Sequence, residues 1–289
     1  DNHGIFIEIT KNSTATLNAK DILVSNTAGA ALRNKGGNVT VNGLVISNIG
    51  ANTLISNVDH QSVPGVMSIS RLGVSEGCDH AQYVVHNQTA DTKNPGKFTN
   101  ELTVKDSIML LDSKTVGVFA EYGKVTVENS VISGAMYAIH NKAELTVNGG
   151  SLHNNGWSVR NEEGAKATLN GGFYYGNKEG TLPSDIYNGG ELTIENITVG
   201  YNKKGAGRPG VIYQAATADP IIMKGNKMGL HTAAKKLQLA AEEWVRKWGT
   251  EKNLIIKCDS VADALEAERF FDPGIEDPKL FVSAVGSNL

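Results

Sequence analysis

The chain has 289 residues, with 27 lysines and arginines against 30 aspartates and glutamates and a formal net charge of −3. It carries no block of basic residues, which argues against nucleic acid or an anionic membrane as partner. No apolar run approaches the roughly 18 residues of a membrane span, so no membrane insertion is expected.

Aromatic residues make up only 6% while glycine occurs 32 times, which suits a long, thin core of small β-branched side chains. The first residues show no basic start followed by an apolar stretch, so the chain reads as a soluble, mature or excised segment that begins in mid-domain. Cys78 and Cys258 lie far apart, without CxxC or zinc spacing, and read as unpaired buried thiols.

In chain order, a Thr-apolar pair recurs at Thr16, Thr40, Thr103, Thr126, Thr146, Thr168 and Thr193, in steps of 24, 63, 23, 20, 22 and 25 residues. The long step accommodates a degraded copy in "VMSISRLGV" (66–74) and an insertion at 75–98 that contains Asn94, Pro95 and Gly96. Within a copy such as "ELTVNG", Leu145 and Val147 face one way while Glu144, Thr146 and Asn148 face the other, which is strand periodicity. Three short strands in so few residues cannot close a sandwich. They can form one coil of a right-handed parallel β-helix, each strand bonding to its copy in the next coil. The expected architecture is an all-β solenoid of about eight coils over residues 1–228.

The same periodicity predicts two columns. One is a structural Asn ladder at a corner of every coil, Asn34, Asn57, Asn87, Asn141, Asn161 and Asn188, with Tyr122 and Gln214 standing in where the pattern lapses. Asparagine tolerates left-handed backbone, and its amide can bond the copy above and below. The residue before each corner should point outward: Arg33, Ser56, His86, Glu121, His140, Arg160, Tyr187 and Tyr213. Copies about 4.8 Å apart along the axis would align these into an aromatic and cationic strip, the candidate ligand-binding surface.

After the last copy, "KKGAGRPG" (203–210) reads as a turn between coils, lacking the Lys-Ser/Thr and following helix of a phosphate loop. Residues 229–289 read as a C-terminal cap that closes the open end of the core and possibly leads into another module. Its expected elements are a helix from Thr232 to Trp248 with Trp244 and Trp248 on one stripe, a strand at 253–258 and a second helix at 259–271.

The units "YAIHNKAELTVNGGSLHNN" (137–155) and "DIYNGGELTIENITV" (185–199) resemble the repeats of pectate-lyase-like β-helices in large bacterial surface and secreted proteins. The likeness covers about residues 10–215 and is strongest over 120–200. It implies an extracellular bacterial protein and specifies a fold rather than a chemistry.

Two enzyme classes on that fold have recognisable motifs. Polygalacturonase-like hydrolases carry N-T-D, D-D, G-H-G and R-I-K strings, none of which occurs here. Pectate lyases carry a W-x-D-H segment, to which only "NVDHQS", with Asp59 and His60, bears a partial likeness. Glu121, Asp185 and Arg160 occupy corresponding parts of nearby coils and are the remaining acid/base candidates. No H-E-x-x-H, calcium loop or G-x-S-x-G is present, so no catalytic residue, metal or cofactor is assigned.

The expectation is therefore a non-enzymatic adhesin or stalk segment, secreted or cell-surface, that binds a polysaccharide or host surface protein along the strip. A polysaccharide lyase or hydrolase with a divergent site, or a phage tail-spike-like fragment, is the alternative.

Overall fold

The computed structural model describes residues 7–18, 23–75, 78, 81–90, 99–175, 185–200, 211–215 and 217–225, and five short strands at 229–231, 237–241, 255–258, 271–272 and 281–284. These residues form an all-β parallel solenoid of about 7 turns, close to the eight expected. Every pairing between its strands is parallel. When the short strands near both ends are included, the ribbon that carries the corner asparagines extends to 11 strands.

One coil shows how sequence becomes shape. Tyr137–Asn141 lies on the first face, Glu144–Asn148 on the second and Ser151–His153 on the third, and the chain then rejoins the first face at Trp157–Asn161. Leu145 and Val147 are buried while Glu144 is exposed, the alternation that a strand with one face on a core requires. The second and third faces belong to one 18-stranded sheet. They are joined through Asn38–Ile49 and Val66–Val74, long strands that pair on both faces.

The core is a stack of like on like. Val41, Ile69, Val104, Val127, Val147, Leu169 and Ile194 follow one another in register, each no more than 1% exposed. Each such side chain contributes about 1.5–3 kcal/mol on burial, so stability accumulates coil by coil. All seven Thr-apolar pairs fall into one register, with Ser68 of the degraded copy in line with Thr40 and Thr103.

The turn leaving the second face requires left-handed backbone. Its column reads Gly43, Arg71, Asp106, Asn129, Gly149, Gly171, Asn196 and Gly225, and all eight have positive φ. Glycine and asparagine meet this demand most cheaply, which explains the recurring "NGG". Beside it, a Cβ on Gly150 would collide with the Ser130 carbonyl oxygen.

Two expectations change. Of the expected insertion, Tyr83–Gln88 runs inside the first face as a regular strand, paired with Thr53–Val58 and Val116–Ala120. Residues 91–98 lie outside the described residues. Leu237–Ala241, within the expected helix, is instead a strand paired in parallel with Val211–Gln214. An open strand edge supplies a row of hydrogen-bonding partners, and that tertiary template overrides helix propensity. Ile255–Cys258 is a strand, as its apolar run predicts. Trp244, Trp248 and residues 259–270 lie outside the described residues.

Candidate functional site

The corner asparagines form the expected ladder. Asn34 donates its amide to Asn57 at 2.8 Å and Asn57 to Asn87 at 2.8 Å. Further along, Asn141 donates to Asn161 at 2.7 Å, Asn161 to Asn188 at 2.8 Å and Asn188 to Gln214 at 2.7 Å. All six asparagines are 0% exposed, and five of them also bond backbone carbonyls, such as Gly37 from Asn34 and Glu191 from Asn161. Their hydrogen-bonding capacity is spent on the fold.

The ladder breaks at one coil. Ala120, not Tyr122, stands between Asn87 and Asn141. With no amide opposite, Asn87 donates to the Tyr122 backbone carbonyl at 2.5 Å. The outward column shifts by the same amount, so its member in this coil is Phe119 and not Glu121. Spacing alone does not mark this corner: the corner residue precedes its threonine by six positions at Asn34 and Ala120, by five at Asn141 and Asn188 and by seven at Asn161.

The outward column is therefore Arg33, Ser56, His86, Phe119, His140, Arg160, Tyr187 and Tyr213, in register. Ser56 is buried, and Arg33 stands apart with its guanidinium 4.0 Å from Glu8. From His86 onward the side chains form a continuous ribbon. The Phe119 ring stacks between His86 at 4.7 Å and His140 at 4.8 Å. The Arg160 guanidinium lies 4.7 Å from the centre of the Tyr187 ring, and Tyr187 stacks on Tyr213 at 5.8 Å.

The ring faces thus lie against one another along the axis, and the column presents mainly edges to solvent. His86 and Phe119 are only 7% and 4% exposed.

A second set of rings flanks the column. Tyr83, Tyr137 and Trp157 each stand four residues before a corner asparagine, a recurring offset that marks them in the sequence. Tyr83 lies 4.8 Å from both His86 and Phe119, and Tyr137 meets His140 edge-on at 5.2 Å. Burial raises the Tyr83 phenol pKa, and Glu121 adds to the effect.

Carboxylates complete the arrangement. Glu121 bonds His86 Nε2 at 2.8 Å, so it joins the strip from the side. Glu162 accepts from His140 Nε2 at 2.8 Å and from Arg160 Nε at 2.6 Å. The His140 bond is the main reason why the Glu162 pKa falls to about 2, with Arg160 adding to it. Beside these groups is an open depression of about 510 Å³ lined by Glu121, Tyr122, Lys142, Glu162 and Glu163.

The acid/base candidates do not converge. Glu121 is engaged with His86, and Arg160 with Glu162. Asp185 is 1% exposed, and its backbone carbonyl accepts from the Ser158 and Val159 amides. Asp59 is 2% exposed and accepts from the Ala90 amide at 3.0 Å and the Asn100 side chain at 3.3 Å, which makes it a brace for the surrounding loops. Among the described residues, no group of three or more His, Cys, Asp or Glu could hold a metal ion.

The chain matches no protein-family model, and no curated protein or solved structure is similar to it at a significant level.

Proposed function

We propose that the protein is a non-enzymatic segment of a secreted or cell-surface bacterial protein, of the pectate-lyase-like β-helix kind, which binds a polysaccharide along its first face. The observation that carries this reading is the ribbon of His86, Phe119 and His140, joined through Glu162 to Arg160, Tyr187 and Tyr213. A rigid aromatic and hydrogen-bonding strip on a regular scaffold suits an extended ligand that makes many weak contacts in line. Host surface proteins are the other ligand class that such a strip would serve.

The test is a glycan-array screen, run in parallel with incubation on uronate-containing polysaccharides. Ultraviolet absorbance would report unsaturated product, and reducing ends would report hydrolysis. Binding without product, weakened by Tyr187→Ala or Arg160→Ala, is the expected result. Turnover would replace the reading with a lyase or hydrolase and direct attention to the carboxylates around the depression.

A further inference from the structure

Trp157 is set differently from every ring in the column. It lies 5.4 Å from Tyr187 at an interplanar angle of 88° and 6.4 Å from Tyr213 at 77°. Tyr187 and Tyr213 are themselves stacked, with only 15° between their planes. Had Trp157 pressed an edge into the outer face of Tyr187, Tyr213 would lie a further ring spacing away. The two similar separations place Trp157 against both rings of the pair instead, steeply inclined to each. Trp157 is neither buried nor fully exposed, as a ring with one face covered would be.

The cations around this ring already face carboxylates. The Arg160 guanidinium bonds Glu162 through Nε and lies over Tyr187 and Tyr137, so its faces are covered. Lys142 shares the depression with three carboxylates, Glu121, Glu162 and Glu163. With histidine counted as neutral, two cations against three carboxylates leave the middle of the strip formally negative, so a polyanion approaching it meets net repulsion. The half-exposed indole and the carboxylate oxygens around the depression suit a ligand with an apolar C–H face and hydroxyl donors.

We infer that the outer face of Trp157 is the stacking platform of the strip and that its ligand is an uncharged glycan rather than a uronate or sulfated chain. This inference rests on the first face being a glycan-binding surface, and it adds the residue and the ligand class. Stacking on the indole needs the ring but not its N–H, so phenylalanine substitutes for it in part and alanine does not.

The experiment compares wild type, Trp157→Phe, Trp157→Ala and Tyr187→Ala, each checked by thermal melting. Binding of an uncharged glucan oligosaccharide and of an oligogalacturonate would be measured by calorimetry. Intrinsic fluorescence gives a second readout, with Trp157→Phe subtracted to remove Trp244 and Trp248. The inference predicts a blue shift from Trp157 on glucan binding and a loss of about tenfold in affinity for Trp157→Ala. Trp157→Phe loses several-fold less, and the uronate binds more weakly than the glucan.

Glucan affinity that is unchanged in Trp157→Ala but lost in Tyr187→Ala would overturn the platform while leaving the strip intact. Tighter binding of the uronate would overturn the ligand class. If neither oligosaccharide binds, the glycan-binding reading falls and the platform with it.

Discussion

On the second face the outward threonine column repeats from Thr16 to Thr193 with only Ser68 departing, whereas on the first face the outward column changes residue at nearly every coil from Arg33 to Tyr213. Beside the threonines, Glu101, Lys124, Glu144, Lys166 and Glu191 alternate in charge coil by coil, and Lys166 meets Glu191 at 3.1 Å. Such a face is satisfied by its own repetition. The first face is held by unlike partners, a ring on an imidazole, a guanidinium on a ring, a carboxylate on both. In a solenoid, identical columns maintain register, and the column that varies is the one on which a ligand can be specified.

The comparison breaks most visibly if one ribbon residue is removed. Phe119→Ala deletes the ring between His86, His140 and Tyr83 and should cost about 3 kcal/mol in urea unfolding. Thr126→Ala, in the same coil on the second face, should cost less than about 1 kcal/mol. Equal losses would mean that the ribbon is no better packed than the threonine ladder.

The corner column sets the scale for purely structural repetition. Asn161→Ala leaves the Glu191 carbonyl and the amide of Asn141 without their buried partner, and it should cost about 2–3 kcal/mol. A loss below about 1 kcal/mol, the net value of an ordinary hydrogen bond, would show that the ladder is dispensable, as the gap at Ala120 is tolerated.

Acid sharpens the contrast. The Glu162 pKa is about 2 in the folded protein against an ordinary 4.5, so its contribution to stability is complete above pH 4.5 and is lost as pH falls through about 2. The difference in unfolding midpoint between wild type and Glu162→Gln should therefore shrink across that window. A difference that stays constant from neutral pH to about pH 2 would contradict the His140–Glu162–Arg160 link.

The smallest effect concerns the turn column. Arg71 is exposed and holds φ at 56°, where neighbouring coils place glycine, asparagine or aspartate. Arg71→Gly should raise stability by about 0.5–1 kcal/mol, read as a higher melting temperature. A decrease would assign the arginine a contact that outweighs its backbone strain.

Much of this was legible in the chain itself. Thr-apolar pairs fix the register of the second face because a parallel, in-register stack places like on like, and the corner asparagines follow from the same count. The register failed at Ala120, where the coil has no amide and the strand "VGVFA" is apolar throughout, so no residue in it marks the corner. The helix expected across 237–241 failed because propensity is local, while the strand edge that recruits those residues comes from Val211–Gln214 in the preceding coil.

For the site, the column was readable and its geometry was not. Sequence places Tyr187 and Tyr213 in line, but it does not show that their faces meet or that Trp157 stands across them. Glu162 was missed for a related reason. It lies one residue past a corner, where the chain is changing direction and period-2 reasoning no longer says which side chain meets which.

The most direct test of the central claim is hydroxyl-radical footprinting with and without a glycan that the protein binds. Protection confined to the first face, at Trp157, Tyr187 and Tyr213, is the predicted result. Protection centred on the Thr146 and Thr168 ladder, or on the exposed Ile108 and Phe173 of the third face, with the first face unchanged, would contradict it.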